Sequence, residues 1–160
     1  MSDEVPLSRR RLRTWLRLLR LTRSTENSLR EFLRLRYDTT LPRFDVAAAL
    51  YRAKSPMKMS DLSQMLLVSN GNATTVVTRL EKEGKVKRVT NEADKRVVHV
   101  DLTDEGRVWF IEIARAHEEQ ITEIFGSLGH EELDALRDLI HQIEDPSDSA
   151  FGGQELKAQG

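Results

Sequence analysis

A mainly helical (α+β) fold, with a compact central unit held between long helices, is predicted by three features of the 160-residue chain. Apolar residues recur at helical spacing on both sides of residues 59–102. Within that stretch, two short amphipathic runs meet at a Ser-Asn-Gly turn. Behind them, two β-branched runs flank a polar tip, the pattern of a hairpin.

Composition narrows the classes. The length suits one domain with a sizeable core, or a small domain plus a helical assembly module, and leaves no room for two enzyme domains. The chain has no cysteine, which excludes disulfides, thiolate catalysis, cysteine redox sensing and Cys-ligated zinc. With no run of about 18 apolar residues and no secretory leader pattern, no membrane span is expected, and the expected location is cytoplasmic. The net charge of −1 conceals strong segregation. Residues 1–53 carry 12 Arg against 6 acidic groups, residues 54–100 carry 9 basic against 5 acidic, and residues 103–160 carry 4 basic against 14 acidic. A phosphate-facing surface needs local rather than global positive potential, so the basic first two-thirds are compatible with a polyanion partner.

Residues 1–7, which include Pro6, are expected to be a flexible terminus, as is the Ser-, Gly- and Asp-rich tail of residues 145–160. From Ser8 a run without proline or glycine places Leu12, Trp15, Leu16, Leu19, Leu29, Phe32 and Leu33 at helical spacing, predicting one long helix over residues 8–37. Its basic face, Arg9, Arg10, Arg13, Arg17 and Arg20, is compatible with a solvated surface, a contact to an acidic partner segment, or a site for a phosphorylated ligand. Thr39, Thr40 and Pro42 break this helix, and LPRFDVAAALYRA starts a second with Pro42 in its first turn. Phe44, Ala47, Ala48, Leu50 and Tyr51 should face inward.

Met57 to Met59 reads as a short extended link, after which Ser60 is the expected N-cap of DLSQMLL, with Leu62, Met65 and Leu66 as its buried stripe. Val68, Ser69, Asn70 and Gly71 form a turn, so NATTVVTRLEKEG is the next helix and Gly84 its terminator. Ala73, Val76, Val77 and Leu80 share one face, leaving Asn70, Asn72, Thr74, Thr75 and Thr78 on the other. An outward face of Asn and Thr is an unusual choice for solubility, where Glu and Lys would serve. It suits base edges: amides pair with adenine, threonine donates, accepts or touches the thymine methyl, and a helix N-terminus favours a phosphate. Ser69 or Asn70 can also act simply as a cap. Arg79 and Lys82, further along, are placed for phosphate contact.

VKRVT and VVHVDL are the hairpin strands, with Asp94, Lys95 and Arg96 at the tip. A carboxylate two residues before an arginine can orient the guanidinium, and an oriented arginine on a narrow hairpin can enter a minor groove. After a helix-turn-helix such a hairpin becomes a wing, so residues 42–102 are assigned as a winged helix-turn-helix. Thr103 caps the next helix, with Asp104 and Glu105 in its first turn. That helix carries more apolar surface than one stripe requires, in Val108, Trp109, Ile111, Ile113, Ala114, Ile121, Ile124 and Phe125, and is expected to be buried on more than one side. HEELDALRDLIHQIE follows as a last helix with a near-heptad seam of Leu133, Leu136, Ile140 and Ile143. Such a seam needs a partner, most simply a second copy, so residues 8–37 and 104–144 are assigned as a dimerisation region.

The succession of two helices, LLVSNGNATTVVTRLEKEGKVKR, a DKR wing and VDLTDEG leading into a long helix resembles the MarR family of bacterial winged-helix regulators, across roughly residues 8–144. The resemblance implies a homodimer whose first and last two helices interlock, recognition helices in successive major grooves of a pseudo-palindrome, and wings in the flanking minor grooves. It places Asn70 to Thr78 on the recognition helix and Asp94 and Arg96 on the wing. It also implies repression relieved by a small aromatic acid or phenol bound between the dimerisation helices and the DNA-binding unit, because a ligand wedged there resets the spacing of the two units. Candidate ligand positions are Trp15, Leu19, Arg43, Phe44, Tyr51 and Trp109. The VSNGN turn and the arginine-rich first helix are similar to regulators of hydroxycinnamate and related aromatic catabolism, some of which sense a CoA thioester. In that reading Arg9, Arg10, Arg13 and Arg17 meet CoA phosphates.

Three other readings compete. An enzyme lacks support: there is no glycine-rich phosphate loop, no nucleophile motif and no pair of carboxylates flanking a strand end, and no cofactor is expected. A metal-responsive regulator of the same fold would need His99, His117, His130 or His141 to converge, and their spacing supports no ligand set. A winged helix used only for protein contact predicts no salt-dependent DNA binding.

Overall fold

The computed structural model describes residues 5–90 and 97–145. Its elements run α1 (Leu7–Tyr37), α2 (Leu41–Ala53), β1 (Met57–Lys58), α3 (Met59–Met65), α4 (Asn70–Lys82), β2 (Val86–Thr90), β3 (Val98–Leu102), α5 (Asp104–Ile124) and α6 (His130–Glu144). The mainly helical class with a small sheet is as expected from the sequence. The chain divides into two compact units, Met1–Gln120 and Ile121–Gly160.

In the first unit, one core joins every element after the N-terminal half of α1. Leu33 from α1, Leu50 from α2, Leu62 from α3, Val77 and Leu80 from α4, Val100 from β3 and Ile113 from α5 are fully buried. Ala47 and Ala49 are buried as well, and their small side chains let α2 lie close beneath its neighbours. The sheet has the order β1-β3-β2 and is antiparallel throughout. Val86 pairs with Leu102, Arg88 with Val100 and Thr90 with Val98, while Met57 pairs with Val100 on the other edge. The hairpin was legible from its alternation, but the third strand was not. Two residues carry no periodicity, and β1 exists only because β3 offers it an edge.

Several local expectations are corrected. Ser60 does not cap α3: the helix begins at Met59 behind Lys58, and Ser60 Oγ lies 3.3 Å from Asp61 Oδ1. Pairing of Met57 and Lys58 with β3 pulls the helix start forward by a turn position. Met65 is 55% exposed, and Ser63 takes the buried place on α3. Tyr51 is 38% exposed, whereas Val46 and Ala49 are buried on α2. On α5, Phe110 and Ile113 face the core, but Val108 and Ile111 stay exposed, so burial on more than one side is not met within a single chain.

The junction after α4 is set by backbone proximity. Gly84 ends the helix in the left-handed region (φ 71°), as its lack of a Cβ permits. Thr103 Oγ1 donates to the Gly84 carbonyl at 2.7 Å, Thr103 N donates to the Lys85 carbonyl at 3.1 Å, and Gly106 N donates to Thr103 Oγ1 at 2.9 Å. Thr103 thus caps α5 and staples it to the end of α4. A Cβ on Gly106 would lie 1.8 Å from the Lys85 carbonyl oxygen.

The second unit holds α6, whose first turn is capped by Glu132 Oε2 accepting from Gly129 N at 2.9 Å. No residue of α6 is buried, and Leu133, Leu139, Ile140 and Ile143 are all exposed.

Gly106→Ala is expected to destabilise the fold by at least about 2 kcal/mol, because the clash is with backbone that cannot swing aside. Urea unfolding at fixed protein concentration reads this as a lower midpoint; an unchanged midpoint would show that the two segments can separate at little cost.

Candidate nucleic-acid interface

The sharp turn between α3 and α4 presents α4 at the surface. Leu67 turns the chain with φ 54°, and the Val68 N–H reaches back to the Ser63 carbonyl at 3.1 Å. Ser69 then caps α4, its Oγ accepting from Asn72 N at 3.3 Å. The helix therefore begins at Asn70, two residues before the expected start. Ala73, Val77 and Leu80 are buried, and Gly71, Asn72, Thr74 and Thr75 face solvent.

The polar side chains of this face are held by specific partners. Asn70 Oδ1 is hydrogen-bonded to Ser63 Oγ, tying α4 to α3 and turning the Asn70 amide toward its own scaffold. Thr74 Oγ1 donates to the Asn70 carbonyl at 2.7 Å and Thr75 Oγ1 to the Gly71 carbonyl at 3.0 Å. Both methyls and the remaining lone pairs are left outward. Thr78 is half-buried, and its Oγ1 accepts from Arg88 of β2 at 2.9 Å, while the same guanidinium pairs with Glu81. Arg79 bonds Glu83 Oε1 at 3.0 Å, and Arg43 of α2 reaches the same carboxylate oxygen at 3.2 Å. Lys82 is exposed. No acidic residue occupies the first turn of α4, so its N-terminal partial charge is not offset there. The wing candidates Asp94, Lys95 and Arg96 lie outside the described residues.

The ligand candidates are dispersed. Phe44 stacks on His117 (ring centroids 4.4 Å apart) and lies 5.6 Å from Phe110, which contacts Tyr51 at 4.9 Å. Trp109 packs against the core. Arg43 is engaged by Glu83. Arg9, Arg10, Arg13 and Arg17 are exposed on α1 with Trp15, while Leu19 is half-buried. A cavity of about 340 Å³ lies elsewhere, between α2, the end of α3 and α4, with Pro42, Val46, Leu66 and Val76 as walls and Asp45, Asn72 and Thr75 as polar lining. Desolvation, and next the Glu26 charge, push the Asp45 carboxyl above the ordinary carboxylate range, against the pull of Arg52 and Arg30. Among the described residues no group of three or more His, Asp or Glu side chains is placed to hold a metal ion. Sequence reasoning missed Arg88, Glu81 and Ser63. Only the alternation of β2, which sets Arg88 on one face of that strand, hinted at the first.

Burial lowers the His117 pKa below its ordinary value. The folded value lies under the unfolded one, near 6.5, so neutral His117 contributes its full stabilisation above the unfolded value and loses it as pH falls through the folded value. His117→Phe, which keeps the stack on Phe44, is expected to flatten part of the decline in melting temperature between about pH 7 and pH 5. Equal slopes in parent and variant would remove His117 from that decline.

The MarR family model matches residues 39–98, the stretch that contains α2 to α4 and β2 and ends at the first residue of β3. An HTH-type transcriptional regulator of Bacillus cereus is 31% identical over 145 residues, spanning 88% of this chain and 93% of that protein. The HTH-type transcriptional regulator PecS of Dickeya dadantii is 31% identical over 111 residues, 68% of this chain and 67% of its own length. Among solved structures, a mutant MarR from E. coli complexed with operator DNA superposes with a TM-score of 0.73 at 24% identity, covering 87% of this chain and 99% of that one. A MarR family regulator from Streptomyces coelicolor in complex with DNA gives 0.77 at 22% identity, covering 92% and 96%. Sequence similarity along most of the chain, with the same fold, shows that the chain belongs to the MarR family of transcriptional regulators.

Proposed function

We propose that the chain is a sequence-specific DNA-binding repressor that holds a pseudo-palindromic operator as a homodimer and is released by a small aromatic molecule, either an aromatic acid or its CoA thioester. The observation that carries the DNA reading is the solvent face of α4: an uncompensated helix N-terminus followed by threonines whose hydroxyls are locked in direction, a surface suited to base edges and one phosphate. Asn72, Thr74, Thr75 and Thr78 are assigned to bases, Ser69 and Asn70 to setting the helix start, and Arg79 and Lys82 to phosphates. Asp94, Lys95 and Arg96, which lie outside the described residues, are assigned to the minor groove on the sequence pattern alone. Two unburied apolar seams support the homodimer, Leu12 and Trp15 with their neighbours on α1, and Leu133, Ile140 and Ile143 on α6. Support for an anionic ligand comes from the exposed arginines along α1, a helix with no acidic residue in its first turn to offset them.

Binding to the DNA upstream of the chain's own gene, measured by gel shift at two salt concentrations, should weaken as salt rises. Thr75→Ala should lose roughly 1 kcal/mol on the preferred site and little on random DNA, whereas Arg96→Ala should weaken both about equally. Arg96→Ala binding as tightly as the parent would remove the wing from the interface, and a complete absence of salt-dependent binding would favour a module for protein contact.

For the ligand, aromatic acids and their CoA thioesters should raise the melting temperature and release DNA at the same concentrations. If the thioester is sensed, replacing Arg13 and Arg17 by Gln should weaken the thioester and spare the free acid. No stabilisation by either class would overturn the aromatic-ligand reading.

A further inference from the structure

The three threonines on the solvent face of α4 are not equivalent. Thr74 and Thr75 each donate their hydroxyl hydrogen to the carbonyl four residues back, at 2.7 and 3.0 Å. What they present outward is therefore a lone pair and a methyl. Thr78 is held the opposite way, because a guanidinium has donors only, so the oxygen facing Arg88 at 2.9 Å must accept. That contact takes one of the two lone pairs of Thr78 and leaves the hydroxyl hydrogen to seek an acceptor beyond the protein. Arg88 is itself held in place, since its other terminal nitrogen pairs with Glu81, three residues along α4 from Thr78. Glu81 also offsets the guanidinium charge, which makes Arg88 a poor phosphate ligand where it sits. The fork spans from β2, whose register is set by the Arg88 to Val100 pairing, to the middle of the α4 surface.

We infer that Arg88 is a positioning residue that occupies one Thr78 lone pair and turns the Thr78 hydroxyl hydrogen outward, and so favours a keto base, guanine O6 or thymine O4, over an amino base at one position of each half-site. The inference rests on the DNA-binding reading of α4. In the major groove, guanine and thymine present acceptors where cytosine and adenine present amino donors, so a hydroxyl that points its hydrogen outward favours the keto bases. Without Arg88, the Thr78 hydroxyl can turn to the carbonyl four residues back as its neighbours do, presenting a lone pair outward, and amino bases become acceptable.

The test is binding selection of the full-length chain from a pool of random-sequence duplexes, followed by affinity measurement on the enriched site and its single-base variants. Thr78→Val, which keeps the shape and removes the hydroxyl, should lose roughly three- to tenfold discrimination at one base pair per half-site, the usual range for one hydrogen bond. Arg88→Met should lose it at the same base pair with the other positions unchanged, Thr78→Ser and Arg88→Lys should retain it at least in part, and the double variant should lose no more than either single one. Circular dichroism and salt slope matching the parent confirm that each variant remains folded and bound. A uniform loss across all positions in Arg88→Met, or an unchanged keto preference in either Arg88→Met or Thr78→Val, overturns the assignment of Arg88 while leaving the DNA reading intact. A parent chain that enriches no sequence overturns both.

Discussion

The approach of Gly106 to the Lys85 carbonyl is the constraint on which the rest of the first unit depends. Because no side chain separates the two backbones, the last turn of α4, the base of the sheet and the first turn of α5 meet within hydrogen-bond reach of one another. Thr103 serves three of those groups at once, accepting from Gly106 N and donating toward the Gly84 and Lys85 carbonyls. Val86 and Leu102, the first pair of the hairpin, are buried directly beneath this junction. The direction of α4 relative to the sheet is thus decided by a backbone contact, and the packing of Val77 and Leu80 follows from it.

Charge is arranged on the same framework. Glu83, at the end of α4, is shared by Arg79 of its own helix and Arg43 of α2, so one carboxylate ties two helices together and tempers two cations. Glu81 ties Arg88 of β2 to α4 and tempers that one cation. These half-exposed pairs each contribute little to stability. Their effect is on direction: they hold long side chains in single orientations around a helix face whose hydroxyls are also committed. A surface prepared in this way loses little side-chain freedom when a rigid partner arrives.

The candidate site was legible in part. The Asn and Thr face of α4, the Ser69 region as its start and Gly84 as its end all follow from interactions within four residues along the chain. The roles inside that face did not. Asn70 reads as an outward amide until Ser63, seven residues earlier, engages it. Thr78 reads as one of three equal threonines until Arg88, ten residues later, distinguishes it. Ser60 shows the reverse error, a good local cap displaced by the pairing of β1 with β3. Met65 and Tyr51 fit helical stripes but sit at their exposed margins, since periodicity locates a stripe but not its boundary.

The sequence alone determined the class of fold, the order of the helices and hairpin, the caps at Thr103 and Gly84, and the polar face of the exposed helix. Each of these rests on local spacing, left-handed backbone freedom or side-chain capping, which act over one or two turns. Only the tertiary structure decided which helix start prevailed, which edge of the sheet gained a third strand, why Gly106 must be glycine, and which way each hydroxyl on α4 points. Those outcomes depend on partners distant along the chain, and a hydrogen bond has no polarity until its second group is in place.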